Sequence, residues 1–118
     1  MTLDEMAEEL QLTNLAAPRD GGREVTGGYA SDLLSCVMAR AGAGNVWITL
    51  QTHPNIVAVA SLLDLACIIV SESPRREHVD QATIEKAQEE GVALYASPLT
   101  TYSIVARLAR AGLSGNDA

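Results

Sequence analysis

Phenylalanine is absent from this sequence of 118 residues, tryptophan occurs once, at Trp47, and aromatic residues make up 3% of the chain. A core so poor in rings is built from Ala, Val, Ile, Leu and Met, which suits helices laid on a sheet. Basic residues are scarce as well: 8 Lys and Arg against 15 Asp and Glu leave a formal net charge of −7. That balance repels phosphate backbones and anionic lipid surfaces, and no basic stripe offsets it, so neither nucleic acid nor membrane is an expected partner. Cysteine appears only as Cys36 and Cys67, each inside an apolar segment where a free thiol acts as a small hydrophobe. No spacing supports a disulfide or a two-cysteine metal site. The longest apolar run, Ile56 to Ile69, is broken by Ser61 and Asp64 and does not suit a bilayer span. Met1 to Leu12 is acidic and amphipathic and lacks the basic start and apolar centre of a secretory signal, which sets the cytoplasm as the expected compartment.

The chemical motifs are equally thin. Two histidines and two cysteines put no ligand pair on one helical face, so no metal is expected. The glycine spacing and lysine of a P-loop are missing, as is the dinucleotide fingerprint, and no cofactor is expected. A nucleophile, base and orienter can be drawn from Cys36 or Ser31 with His53 and Asp32, yet no spacing singles them out. The chain reads as non-catalytic.

What is present is the material of one folded domain. The hydrophobic fraction of 47% and charged fraction of 19% are ordinary globular values. Residues 1–113 are assigned to the domain and 114–118 to a frayed tail. Leu3, Met6, Ala7 and Leu10 recur at helical spacing over Thr2 to Leu10. Gln11 to Ala17 reads as extended, Pro18 to Gly22 as a tight turn, and Arg23 to Thr26 as a second extended run ending in Gly27-Gly28. Ser31 is placed to cap a helix reaching Ala41, with Asp32 at the positive end of its dipole. Then follow a strand over Asn45 to Leu50, a helix over Asn55 to Asp64 that is apolar almost all round, and a buried strand over Ala66 to Val70. After a polar loop, Asp80 caps a helix through Glu90, Val92 to Ala96 is a strand, and Thr100 caps a last helix through Ala111. This alternation predicts an α/β fold: a single domain with a mostly parallel sheet flanked by helices, the earlier extended segments adding a hairpin or edge strands.

In such sheets ligands bind beyond the carboxyl ends of the strands, where helix N-termini present free amides to anions. Two turns are the candidate site. Thr26-Gly27-Gly28 with Ser31 and Asp32 offers close backbone approach, a hydroxyl and a carboxylate; the same residues also suit an ordinary glycine turn and helix cap. Gln51-Thr52-His53-Pro54-Asn55 carries four hydrogen-bonding side chains, more than capping requires, among them the imidazole of His53. Arg75-Arg76 can meet an anion or serve as a solvated loop, and Ser97 and Thr100 read as caps.

Taken together, Arg23 to Ser35, Trp47 to His53, Asn55 to Ala60, and the passage through Glu85-Lys86-Ala87 to Gly91 resemble the DRTGG domain family over about residues 1–112. The resemblance implies an α/β fold akin to the N-terminal domains of HPr kinase/phosphatase and of the Mur ligases. It also implies a regulatory role, dimerisation, and adenine-nucleotide sensing nearby in fused relatives. Gly22 stands where the family name suggests an acidic residue, so no contact is carried to Arg23. The expectation is a regulatory module, a homodimer, binding a small anionic ligand such as an adenine nucleotide through Thr26, Gly27, Gly28, Ser31, Asp32, Gln51, Thr52, His53 and Asn55. The alternatives are an adaptor for a protein partner, using these turns or the apolar helix, and a kinase-like enzyme.

Overall fold

Thr2 opens the first helix with a capping box: its side chain accepts the Glu5 amide, and the Glu5 carboxylate accepts the Thr2 amide. The structure, a computed structural model, describes residues 1–117. Helix α1 (Leu3–Glu9) leads into strand β1 (Thr13–Ala16). The expected turn follows, with Asp20 Oδ1 accepting the Gly22 amide at 2.9 Å. Strand β2 (Gly27–Ala30), helix α2 (Leu34–Arg40) and strand β3 (Asn45–Thr49) come next. Helix α3 (Asn55–Leu62), strand β4 (Cys67–Val70), helix α4 (Gln81–Glu90), strand β5 (Leu94–Ala96) and helix α5 (Thr101–Arg110) complete the chain.

The five strands lie in the order β1-β5-β4-β3-β2. From β2 to β5 every neighbouring pair is parallel, and β1 closes the far edge antiparallel to β5. Parallel neighbours need a crossover, and α2, α3 and α4 supply the three. They cover one face, where Val37, Ile56 and Ile84 pack with Trp47, Ile68 and Leu94. The opposite face belongs to α1 and α5, whose Leu3, Met6, Ile104 and Leu108 meet Val46, Ile48, Ile69 and Tyr95. Alternate residues of each strand therefore serve two different helical layers, which is why β3 and β4 are buried along their whole length. Trp47, the one indole, is fully buried and donates from Nε1 to Ser31 O at 2.9 Å.

Several expectations need correction. Of the hairpin or edge strands expected from the early extended segments, β1 is an edge strand, while Arg23 to Thr26 joins no strand of the sheet and makes only the isolated bridge of Glu24 with Thr2. Gly27-Gly28 is the start of β2, paired with Asn45 and Val46, and not a bend after a strand. Pairing with β3 imposes the strand on a stretch that has no β-branched residue. Helix α3 is less buried than its composition suggests, since Leu62 is 70% exposed. Cys67 is buried as expected and Cys36 half-buried, both as free thiols. In the stretch expected to fray, Ser114 and Asn116 are hydrogen-bonded to the domain. Ala118, the end of that stretch, lies outside the described residues.

Candidate functional site

The nine residues expected to converge divide between the two ends of the sheet. Thr26, Gly27 and Gly28 stand at the amino end, level with Asn45. Ser31, Asp32, Gln51, Thr52, His53 and Asn55 stand at the carboxyl end, beyond β2 and β3. The five-residue strand β3 separates the two ends by roughly 16 Å. One shared site over both turns is therefore ruled out by the direction of the strands.

The glycine pair has a structural task at its own end. The Gly28 amide donates to Ser114 O at 3.1 Å, so it is not free for a ligand. Thr26 Oγ1 donates to Ala43 O at 2.8 Å and accepts from Asn45 Nδ2 at 3.1 Å. Asn45, 1% exposed, also accepts at Oδ1 from the Gly42 amide and from Asn116 Nδ2, each at 2.8 Å. A buried amide with both its oxygen and its nitrogen hydrogen-bonded pins the start of β3 to the loops around it. The sequence reading passed over Asn45; a polar residue opening an otherwise apolar strand was the available signal.

At the carboxyl rim the first turn is a clamp between strands. Asp32 Oδ1 accepts the Leu50 amide at 2.7 Å and the Thr49 hydroxyl at 2.9 Å. Gln51 returns the contact, donating from Nε2 to Asp32 O at 3.2 Å and from its amide to Thr49 Oγ1 at 3.1 Å. Asp32 is thus not set against the dipole of α2: the N-cap of that helix is Leu33, whose amide donates to Ser31 Oγ at 3.1 Å. Nor does Thr52 cap α3. The N-cap of α3 is Pro54, with no side-chain bond to it; just before it His53 Nδ1 accepts the Asn55 amide at 3.1 Å, while Thr52 O accepts the Thr83 hydroxyl.

A row of hydroxyls continues across the rim. Ser71 follows β4, fully buried, donating to Thr49 O at 3.4 Å and sharing a hydrogen bond with Thr101 Oγ1 at 2.5 Å. Ser97 follows β5 and accepts the Leu99 amide within the turn, so it is not a helix cap, whereas Thr100 caps α5 by accepting the Ser103 amide, as expected. Thr49, Ser71 and Ser97 each end or follow an apolar strand, and that repetition was legible had the strands been aligned. Asp80 is the N-cap of α4 without a side-chain bond to it, so the first turn of that helix lacks the cap the sequence implied. Exposed Arg75 and Arg76 precede it, balanced by Glu72, Glu77 and Asp80 on the same loop. Glu72 holds a φ of 53°, a left-handed conformation uncommon for a side-chain-bearing residue and often found near sites.

The rim therefore offers hydroxyls, amides, one imidazole and two guanidinium groups. Among the described residues, no three His, Cys, Asp or Glu side chains gather to hold a metal ion. No described helix is long and apolar enough to cross a membrane. The strongly perturbed groups lie elsewhere: burial pushes the Cys67 thiol and the Tyr95 phenol up, inside the layer under α1 and α5.

No family model matches the sequence, and neither does any curated protein. The fold itself has a solved counterpart. The chain is similar to the CBS and DRTGG domains of the regulatory region of Clostridium perfringens pyrophosphatase, in a structure complexed with the activator diadenosine tetraphosphate. The superposition has a TM-score of 0.68 at 15% identity and covers 96% of this chain and 47% of that one. The chain thus spans about half the length of its counterpart, and the likeness is one of fold.

Proposed function

We propose that this chain is a non-catalytic regulatory module of the DRTGG type, acting in the cytoplasm, whose carboxyl rim binds a small anionic ligand. The observation that carries the reading is the rim itself. Four parallel strands end together there on small hydroxylated residues, next to the first turns of α3 and α4. Main-chain amides at such ends carry partial positive charge, which favours phosphate or carboxylate. Adenine nucleotides head the candidates because the pyrophosphatase region that shares the fold was solved with diadenosine tetraphosphate. In this reading Ser31, Gln51, Thr52, His53 and Asn55 face the ligand, Asp32 holds the strand ends in register, and Thr26, Gly27 and Gly28 take no part.

Calorimetry and thermal shift against AMP, ADP, ATP, diadenosine tetraphosphate and inorganic phosphate test it. Saturable heat from at least one nucleotide, with weaker binding in His53→Ala, is the expected outcome. Silence across the whole panel removes the proposal.

A second reading, a protein adaptor, draws on the exposed apolar side chains Leu62 on α3 and Leu33, Leu50 and Tyr102 around the rim. A stoichiometric protein that co-purifies through high salt, with no small molecule retained, favours that reading. Homodimerisation accompanies either, and light scattering at micromolar concentration measures it.

A further inference from the structure

Beyond α5 the chain turns at Gly112, whose φ of 94° lies in the left-handed region that favours glycine. Leu113 packs, half-buried, against the layer beneath α1 and α5. Ser114 O then accepts the Gly28 amide at 3.1 Å, and Asn116 Nδ2 donates to Arg40 O at 2.9 Å and Asn45 Oδ1 at 2.8 Å. The start of β2 is shaped around this visitor: a Cβ on Gly27 would stand 2.6 Å from Ser114 O, at a φ of 156°.

The placement matters because β2 is a sheet edge. An edge strand presents unpaired amides and carbonyls that template pairing with another chain, and folded proteins cover them. Here Ser114 takes an edge amide. The same segment walls a cavity of about 400 Å³ between β2 and α5, lined by Tyr29, Ile48, Val105, Leu108 and Leu113. It also walls a second of about 300 Å³ beside Tyr29 and Arg40.

The fastening is superficial while its socket is not. Ser114 and Asn116 are exposed, and Asn45 keeps its bonds to Gly42 and Thr26 when Asn116 leaves. Departure therefore strands no buried polar group, the usual penalty for breaking an internal network.

We propose that residues 113–117 form a latch, hinged at Gly112 and fastened by Asn116, which covers the β2 edge and opens as a unit while the rest of the domain stays folded. Opening bares the Gly28 amide and the apolar wall of the larger cavity. Hydrogen exchange by NMR on the full chain, with a fluorescent apolar dye as second readout, tests this in Asn116→Ala and in Gly27→Ala, where the added methyl pushes Ser114 away. The reference is the Ile68 amide, which donates to Ala93 O in the sheet interior. The latch predicts that Gly28 exchanges faster than Ile68 in the native chain. In Asn116→Ala it predicts a further acceleration of about tenfold at Gly28 with Ile68 unchanged, and increased dye binding. Equal rates at Gly28 and Ile68 in all three proteins overturn it, since the segment then opens only with the whole domain. An Asn116→Ala protein with Gly28 unchanged overturns it too. If Gly27→Ala is globally destabilised, Ile68 reports that directly and Asn116→Ala decides.

Discussion

At the amino end of the sheet Asn45 is 1% exposed with both polar side-chain atoms bonded inside the protein, whereas at the carboxyl rim Gln51, His53 and Asn55 stand exposed, Gln51 reaching Asp32 O and His53 the Asn55 amide. Both ends are rich in small polar residues, and by composition they look alike. The difference is what the polar atoms face: other protein atoms at one end, solvent and helix N-termini at the other. A polar cluster therefore speaks for binding only when its groups are not already consumed by the fold.

Breaking that contrast begins with Asn45→Ala, which orphans the Gly42 amide and unties Thr26 and Asn116. It should cost about 3 kcal/mol in urea unfolding; a loss below about 1 kcal/mol would make the amino end no more structural than the rim. Asp32→Ala comes next. Removing the acceptor of Leu50 N and the Thr49 hydroxyl should cost about 1–2 kcal/mol. Asp32→Asn keeps an oxygen for those donors, and losing one negative charge at the rim should tighten nucleotide binding about two- to fivefold. Unchanged or weaker binding in a folded Asp32→Asn protein would place the anion away from this turn.

His53→Ala sharpens the comparison from the other side. Only the Asn55 amide loses its acceptor, so stability should fall by less than about 1 kcal/mol, while nucleotide affinity measured by calorimetry should fall about tenfold. The smallest effect is expected at Glu5. Its capping-box bonds to Thr2 hold the carboxyl below its ordinary value of 4.5. A depressed folded pKa stabilises above the unfolded value, and that contribution disappears as pH drops through the folded one. Glu5→Gln preserves the box but not the charge, so the acid limb of the stability curve should become slightly shallower, with little change at pH 7.

Much of this arrangement was legible in the residues. The apolar runs Asn45 to Leu50, Ala66 to Val70 and Val92 to Ala96 contain the three inner strands, because continuous burial on two faces leaves no other pattern. Thr100 before α5 also stands where its chemistry suggests, and α4 ends at Gly91 in a left-handed conformation, φ 69°. The error was local and its consequence global. Gly27-Gly28-Tyr29-Ala30 carries one strand-favouring side chain, Tyr29, after two glycines, so the sequence places the strand over Arg23 to Thr26 and the glycines in the turn after it. A shift of one strand length moves three of the nine candidate residues to the other end of the sheet. Propensity could not find β2, because its extended form comes from β3 on one side and the segment around Ser114 on the other. The Asp32 clamp was hidden for a related reason: a carboxylate near a helix start resembles a cap until the neighbouring strand is in place.

The edge pairing of Thr13 with Ala96 has a consequence for the order of assembly. Strands β2 to β5 are each laid beside the one made just before, so every addition closes a loop of moderate length. The first strand alone must wait for the last. The first strand is made well before β5, beside which it pairs, and in refolding from denaturant this long closure should be among the latest events.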